Sequence, residues 1–322
     1  MSEIGGYIEF EHNHGLMLHE EMLALNCGRA ALAYLIEARS IKTIWLPTYI
    51  CDSVSKQCDA LQVSIKWYFI GSSFEPVWDF TVASDEYLYL VDYYGQLNNE
   101  QILHALEVSH GNLIVDEAQN YFCEPRYGID TLYTCRKFFG VPDGAFLSTD
   151  AQVNRELPQS ESFEHMRFLL GRFERTASEF FAESQENNHR FVDEPVSRMS
   201  LLTENILRGI DYEYVRSKRE ENYKVLAKAL EPNNALVLNM PPAPFAYPLY
   251  VENGPTVRKH LAAKGIYIST LWPNVVTNAP IDTVASKYAR NILPLPVDQR
   301  YGPEEMHVIL VALQEEGIAV EA

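Results

Sequence analysis

Positive charge is scarce in this sequence: 26 Lys plus Arg stand against 44 Asp plus Glu, a formal net charge of −18 over 322 residues. A chain so acidic is repelled by nucleic acid and by anionic membrane surfaces, so neither is an expected partner, and an anionic ligand has to be met by a local cluster of cations. Cysteine is sparse as well. Cys27, Cys51, Cys58, Cys123 and Cys135 form no C-x-x-C pair and no regular framework, which argues against a disulfide scaffold and a zinc site and fits reduced thiols in a cytoplasmic protein. His12, His14 and His19 lie near the start among glutamates, but their spacing suits no helix face, and no metal is expected there. No apolar run approaches the length of a membrane span, and the opening MSEIGGYIEF has neither the basic region nor the apolar core of a secretory signal. Repeats and low-complexity segments are lacking too. An apolar fraction of 47% and a charged fraction of 22% place the chain among ordinary globular proteins, and its length favours two unequal domains.

The stretch that organises the rest is LIVDEAQNYFCEPRYGIDTLYTCRK, residues 113–137. Its apolar start ends abruptly on Asp116 and Glu117, as a buried parallel strand does when it reaches a site at its carboxyl edge. A carboxylate there is costly without a positive partner, and no Lys or Arg neighbours Asp116 in sequence. Further on, the strand-like run 131–133 leads into Thr134-Cys135-Arg136-Lys137, followed by Phe138-Phe139-Gly140. A lysine set among aromatics is placed to be desolvated, which lowers an ammonium pKa towards the range where the neutral amine attacks a carbonyl. One ligand accounts for both residues: pyridoxal 5'-phosphate (PLP), whose aldehyde condenses with a lysine and whose ring nitrogen an aspartate keeps protonated.

Asp116-Glu117-Ala118-Gln119, followed by a lysine preceded by Thr-x-x, resembles the DegT/DnrJ-type branch of the fold-type I PLP enzymes, the sugar aminotransferases. The resemblance covers most of the chain from about residue 25. It implies an α/β large domain, a mostly parallel sheet flanked by helices, over residues 1–212 with an N-terminal arm, and a smaller α+β carboxyl-terminal domain over 213–322. It also implies a homodimer, a nucleotide-linked keto sugar as substrate and an amino acid as donor. Lys137 and Asp116 are then the catalytic pair, Gln119 bonds the cofactor's phenolic oxygen, and Thr134 helps to hold its phosphate. A PLP lyase or dehydratase on the same fold and a noncatalytic binding protein remain alternatives; Lys137 argues against the first, and an intact Asp116 and Lys137 against the second.

Other segments fit the same reading in chain order. Gly28, Arg29 and Ala30 open a run of strong helix formers, where free backbone N–H groups can receive a phosphate. They resemble the family's Gly-Thr-x-Ala-Leu turn, with Arg29 where a hydroxyl residue is usual. Tyr49 follows the short strand 43–47 and resembles the aromatic that stacks on the pyridine ring. Tyr93-Tyr94-Gly95 resembles a His-x-Tyr-Gly loop, which makes Tyr93 and Tyr94 candidate substrate contacts, together with Arg190 and Arg198. Helices are expected over about 161–185 and 197–229, with a loop at 187–191 between them. In the family an asparagine before the Arg-Met-Ser sequence reaches the partner subunit's phosphate. Here Val196 stands at that position, and Asn187, Asn188 and Ser197 are the nearby candidates to replace it. Alternating strands and helices place Tyr49, Tyr93, Asp116 and Lys137 together at the carboxyl edge of the sheet, where open α/β sheets bind ligands.

Overall fold

Apolar runs too short for helices become the strands of a central sheet. In this computed structural model, which describes residues 4–321, they are β1 (Leu23–Leu25), β2 (Thr43–Pro47), β3 (Ser64–Tyr68), β4 (Tyr87–Val91), β5 (Leu113–Asp116), β6 (Asp130–Thr134) and β7 (Ala145–Ser148). Their order across the sheet is β1-β7-β6-β5-β4-β2-β3. Strands β2 to β6 run parallel; at one edge β7 is antiparallel to β6, and β1 pairs antiparallel with β7 and so runs in the direction of the others. The central strands β4 and β5 read YLYLV and LIVD and are buried along nearly their whole length, as covering both faces with helices requires.

The helices are α1 (Gly28–Ala38), α2 (Asp52–Ala60), α3 (Asn99–Val108), α4 (Arg167–Glu174), α5 (Phe181–Arg190), α6 (Leu201–Arg208), α7 (Tyr212–Leu230), α8 (Gly254–Ala263), α9 (Pro273–Asn278), α10 (Val284–Asn291) and α11 (Pro303–Glu315). Helix α1 owes its place to an Ala- and Leu-rich run and to its ends. Cys27, in an extended conformation, caps the start, and Ser40 at φ 54° closes the other end as the Ile41 and Ser40 N–H groups return to the Ile36 and Glu37 carbonyls. A second core lies where α7, α8 and α11 pack on the two-stranded antiparallel sheet of β8 (Ala246–Tyr250) and β9 (Ile292–Pro296), giving the smaller α+β unit.

Three sequence expectations are corrected here. The helix expected over 161–185 is broken into a single turn at Phe163–His165, then α4 and α5. The loop expected at 187–191 is largely helical, since α5 runs through Asn187, Asn188, His189 and Arg190. Its sequence FAESQENNHR offers few apolar residues because the polar side chains of one face line a cavity. The helix expected over 197–229 is two, α6 and α7, parted at 209–211 where Asp211 caps α7.

The amino-terminal arm is tied to its own chain. Asn13 donates twice to Asn205, from its backbone N–H to Oδ1 and from Nδ2 to the carbonyl, Glu20 pairs with Arg208 at 2.6 Å, and His19 meets the Tyr121 carbonyl through Nε2 at 2.7 Å while stacking on Tyr133. Burial pushes the His19 pKa down, so the folded state holds it neutral. Below the ordinary histidine value of about 6.5 the unfolded chain takes up a proton that the folded chain refuses, and stability falls with pH. Against a His19→Phe variant, wild type is expected to be more stable by about 1 kcal/mol above pH 7. That advantage should shrink between about pH 6.5 and 5 in chemical denaturation; a difference unchanged across this range would show that His19 does not titrate as argued.

Candidate active site

Asp116 ends β5, and its backbone lies beside Val91 of β4 and Leu132 of β6, so its side chain emerges at the carboxyl edge of the sheet. The Tyr89 hydroxyl donates to Oδ2 at 2.9 Å and the Ala118 N–H to Oδ1 at 2.8 Å, which fixes the plane of the carboxylate. The next carboxylate serves another purpose. Glu117 is fully buried and binds Arg126 at 2.9 Å, with Asp92 behind it; burial first, then Asp92, drives its pKa well up. Alternation along an extended segment thus sends two adjacent acids to different surroundings, one to a cavity and one to the core.

Lys137 closes a single helical turn, Cys135–Lys137, directly after β6. That turn is held from both sides. Cys135 N–H donates to the Gly144 carbonyl, and the Phe138 carbonyl accepts from Gln299 at 2.8 Å and from the buried Arg219 at 3.3 Å. Gly144 is at φ 113°, and a Cβ there would meet Cys135 Sγ at 3.1 Å, so the turn requires glycine. Solvent reaches Lys137 through the cavity mouth, yet protein atoms crowd it closely. Desolvation, opposed by the Asp116 carboxylate, brings its pKa below the usual ammonium value. Among the described residues its Nζ has the Phe245 ring at 5.8 Å and no ion-pair partner.

Both residues open into one cavity of about 810 Å³, whose walls include Gly28, Arg29, Cys51, Tyr89, Gln119, Thr134, Arg136, Asn188 and Trp272. Several of these groups have unmet bonding capacity. Thr134 Oγ1 is buried without a hydrogen-bond partner. A Cβ on Gly28 would stand 2.8 Å from Thr134 Cγ2, so only glycine lets the start of α1 approach this close. Gln119 accepts from the Tyr94 N–H through Oε1 at 2.8 Å, which identifies Nε2 as the remaining donor, and Nε2 has no partner. These two unpartnered buried atoms belong to residues that line the same cavity as Asp116 and Lys137, and a buried polar atom without a partner calls for an explanation.

Not every expected residue is in this group. Gly28, Arg29, Asp116, Gln119, Thr134 and Lys137 line the cavity; Ala30, inside α1, does not, and its N–H is turned to Cys27 Sγ at 3.4 Å. Tyr49 and Tyr93 are buried behind the wall, where the Tyr93 hydroxyl donates to the Tyr49 carbonyl at 2.5 Å. Trp272 stands at the cavity instead, edge-on to Tyr49 at 4.4 Å, in the left-handed backbone region that bulky residues avoid. Tyr94 contributes through its backbone N–H, at φ 55°, while its ring stays in the core. Arg190 binds Glu194 at 2.9 Å beside the Phe191 ring and lies outside the lining; Arg198 belongs to a separate cleft with Leu23, Tyr34 and Arg155. Of the candidates near Val196, Asn188 lines the cavity, Asn187 is committed to the Pro142 carbonyl and Ser197 to that of Pro195.

No family model and no curated protein matches the sequence. Solved structures do match in fold. The sugar aminotransferase CalS13 of Micromonospora echinospora superimposes with a TM-score of 0.61 at 12% identity, over 92% of this chain and 88% of that one. A DegT DnrJ EryC1 StrS aminotransferase from Brucella abortus gives 0.60 at 13% identity, over 91% and 85%. Spr1654 of Streptococcus pneumoniae in its PLP form gives 0.60 at 13%, over 91% and 86%. The chain therefore has the fold-type I architecture, a large α/β unit with a smaller α+β unit after it.

Proposed function

We propose that the protein is a PLP-dependent aminotransferase acting on a keto sugar, carried as a nucleotide derivative, with an amino acid as donor. The observation behind this reading is the set of groups gathered around one cavity: an oriented carboxylate, a free amide donor, a free hydroxyl beside a glycine cradle, and an amine of lowered pKa. These match the ring nitrogen, phenolic oxygen, phosphate and aldehyde of PLP in turn. When bound, the cofactor supplies a carbonyl that takes up the amino group and a ring that draws electrons from the adjacent carbon.

The protein's own residues then have distinct tasks. Asp116, held by Tyr89 and Ala118, keeps a proton on the ring nitrogen. Gln119 Nε2 would donate to the phenolic oxygen. Thr134 Oγ1 and the first N–H groups of α1 receive the phosphate, where the helix dipole favours an anion. Lys137, its ammonium form disfavoured by crowding, supplies Nζ as nucleophile and then as carrier of the proton leaving the donor's α-carbon, already tethered within reach. Trp272 and Leu271 narrow the space and limit water. The sugar part of the proposal leans on the shared fold with proteins such as CalS13. Adding glutamate or glutamine to the PLP-loaded protein should change its visible absorbance, and a keto acceptor should restore it. A spectrum indifferent to every amino donor would favour a noncatalytic ligand-binding protein.

A further inference from the structure

Two guanidinium groups in the cavity have no task in the account so far. Arg136 Nη2 donates to Asn188 Oδ1 at 3.1 Å and Arg29 Nη2 to the Asn188 carbonyl at 2.8 Å, so both converge on one residue of α5. Among the described residues neither has a carboxylate within ion-pair distance, whereas the third arginine of the cluster, Arg190, has Glu194. The Phe191 ring lies under all three, 4.7 Å from Arg136 and 6.0 Å from Arg29. Arg136 is desolvated and its pKa is lowered by burial, with Arg29 and Arg190 adding repulsion. Like charges gathered in a crowded wall without a counter-charge are costly, and a bound anion would remove that cost. In a chain of net charge −18 such a cluster is a local exception.

We infer that Arg136 and Arg29 complete a phosphate-ester subsite with Thr134 Oγ1 and the start of α1, and that they supply its positive charge from within the same chain. The position selects the phosphate of PLP, since Thr134 precedes the turn that carries Lys137 and Arg136 lies within it. Planar guanidinium groups suit a phosphate dianion because each can offer two parallel donors. The assignment of the cofactor rests on the proposed function; that of an anion subsite does not.

The test compares PLP, pyridoxal without the phosphate, inorganic phosphate and uridine diphosphate as ligands of the full-length protein, by fluorescence and calorimetric titration. Arg136→Gln is expected to weaken PLP by roughly ten- to a hundredfold and to weaken inorganic phosphate in parallel, while pyridoxal changes by less than about twofold. Arg29→Gln should act in the same direction. Arg136→Lys should fall between, because charge remains and the fork is lost, and it serves where the glutamine variant fails to fold. An unchanged ratio of PLP to pyridoxal affinity in Arg136→Gln or Arg136→Lys would overturn the inference and leave the cofactor reading intact. So would a loss confined to uridine diphosphate, which would assign the arginines to a nucleotide. Wild-type protein that ignores PLP but binds phosphate through Arg136 would sink the cofactor reading and support the subsite; binding of neither would sink both.

Discussion

Lys137→Ala is expected to lose turnover by roughly a thousandfold or more, because one atom, Nζ, is asked to do two jobs that no neighbour can take over. In the proposed mechanism it is the nucleophile towards the cofactor carbonyl, and it carries the proton from the donor's α-carbon. Among the described residues of the cavity the other lysine, Lys56, is tied to Asp52 at 2.5 Å. The fold should survive the change. Because the folded protein disfavours the charged amine, wild type carries a stability deficit at every pH below the unfolded lysine value of about 10.4, relieved only as pH rises towards it. The alanine variant is therefore expected to melt at or above the wild-type temperature at pH 7, and still to bind PLP noncovalently through Asp116 and the phosphate subsite. Turnover within tenfold of wild type would remove Lys137 from the chemistry.

Asp116→Asn should separate binding from chemistry. The amide can still accept from either the Tyr89 hydroxyl or the Ala118 N–H, so the carboxylate's surroundings need little adjustment. What it cannot do is keep a proton on the ring nitrogen. Breaking a desolvated charge pair costs on the order of 3 to 5 kcal/mol, shared between cofactor affinity and the chemical step. With about 3 kcal/mol falling on the step that takes the proton from the α-carbon, that step slows on the order of a hundredfold. Stopped-flow absorbance with a working donor resolves the two effects: cofactor exchange with the donor should stay fast, and the slower spectral change that follows should nearly vanish. Conversion at the wild-type rate would reduce Asp116 to a strand-end cap.

These two residues were legible in the sequence for reasons of periodicity and cost. An apolar run that stops on a carboxylate announces a buried strand reaching a cavity, and a lysine wedged between a strand and two phenylalanines announces a desolvated amine. The parallel centre of the sheet followed from the alternation of strands and helices, whereas β1 was missed because three residues, Leu23–Leu25, give no pattern to read. Side-chain direction was the harder matter. Tyr49 and Tyr93 lie at the edge predicted for them, yet the aromatics lining the cavity are Tyr89 and Trp272, the latter from a segment far along the chain whose approach depends on α9 and α10 joining the large core. Arg136 sat in plain view beside Lys137, but that its guanidinium lacks a counter-charge is a fact of three-dimensional neighbours. Helix α5 was hidden because it turns polar residues, Ser184, Gln185, Asn188 and His189, towards the cavity, so its hydrophobic pattern is weak where its role is greatest.

The most direct measurement is borohydride reduction of the PLP-loaded protein followed by peptide mapping. The account predicts a single pyridoxyl group on the peptide containing Lys137, absent in Lys137→Ala. A pyridoxyl group on another lysine, or none on a protein that demonstrably holds PLP, would contradict it.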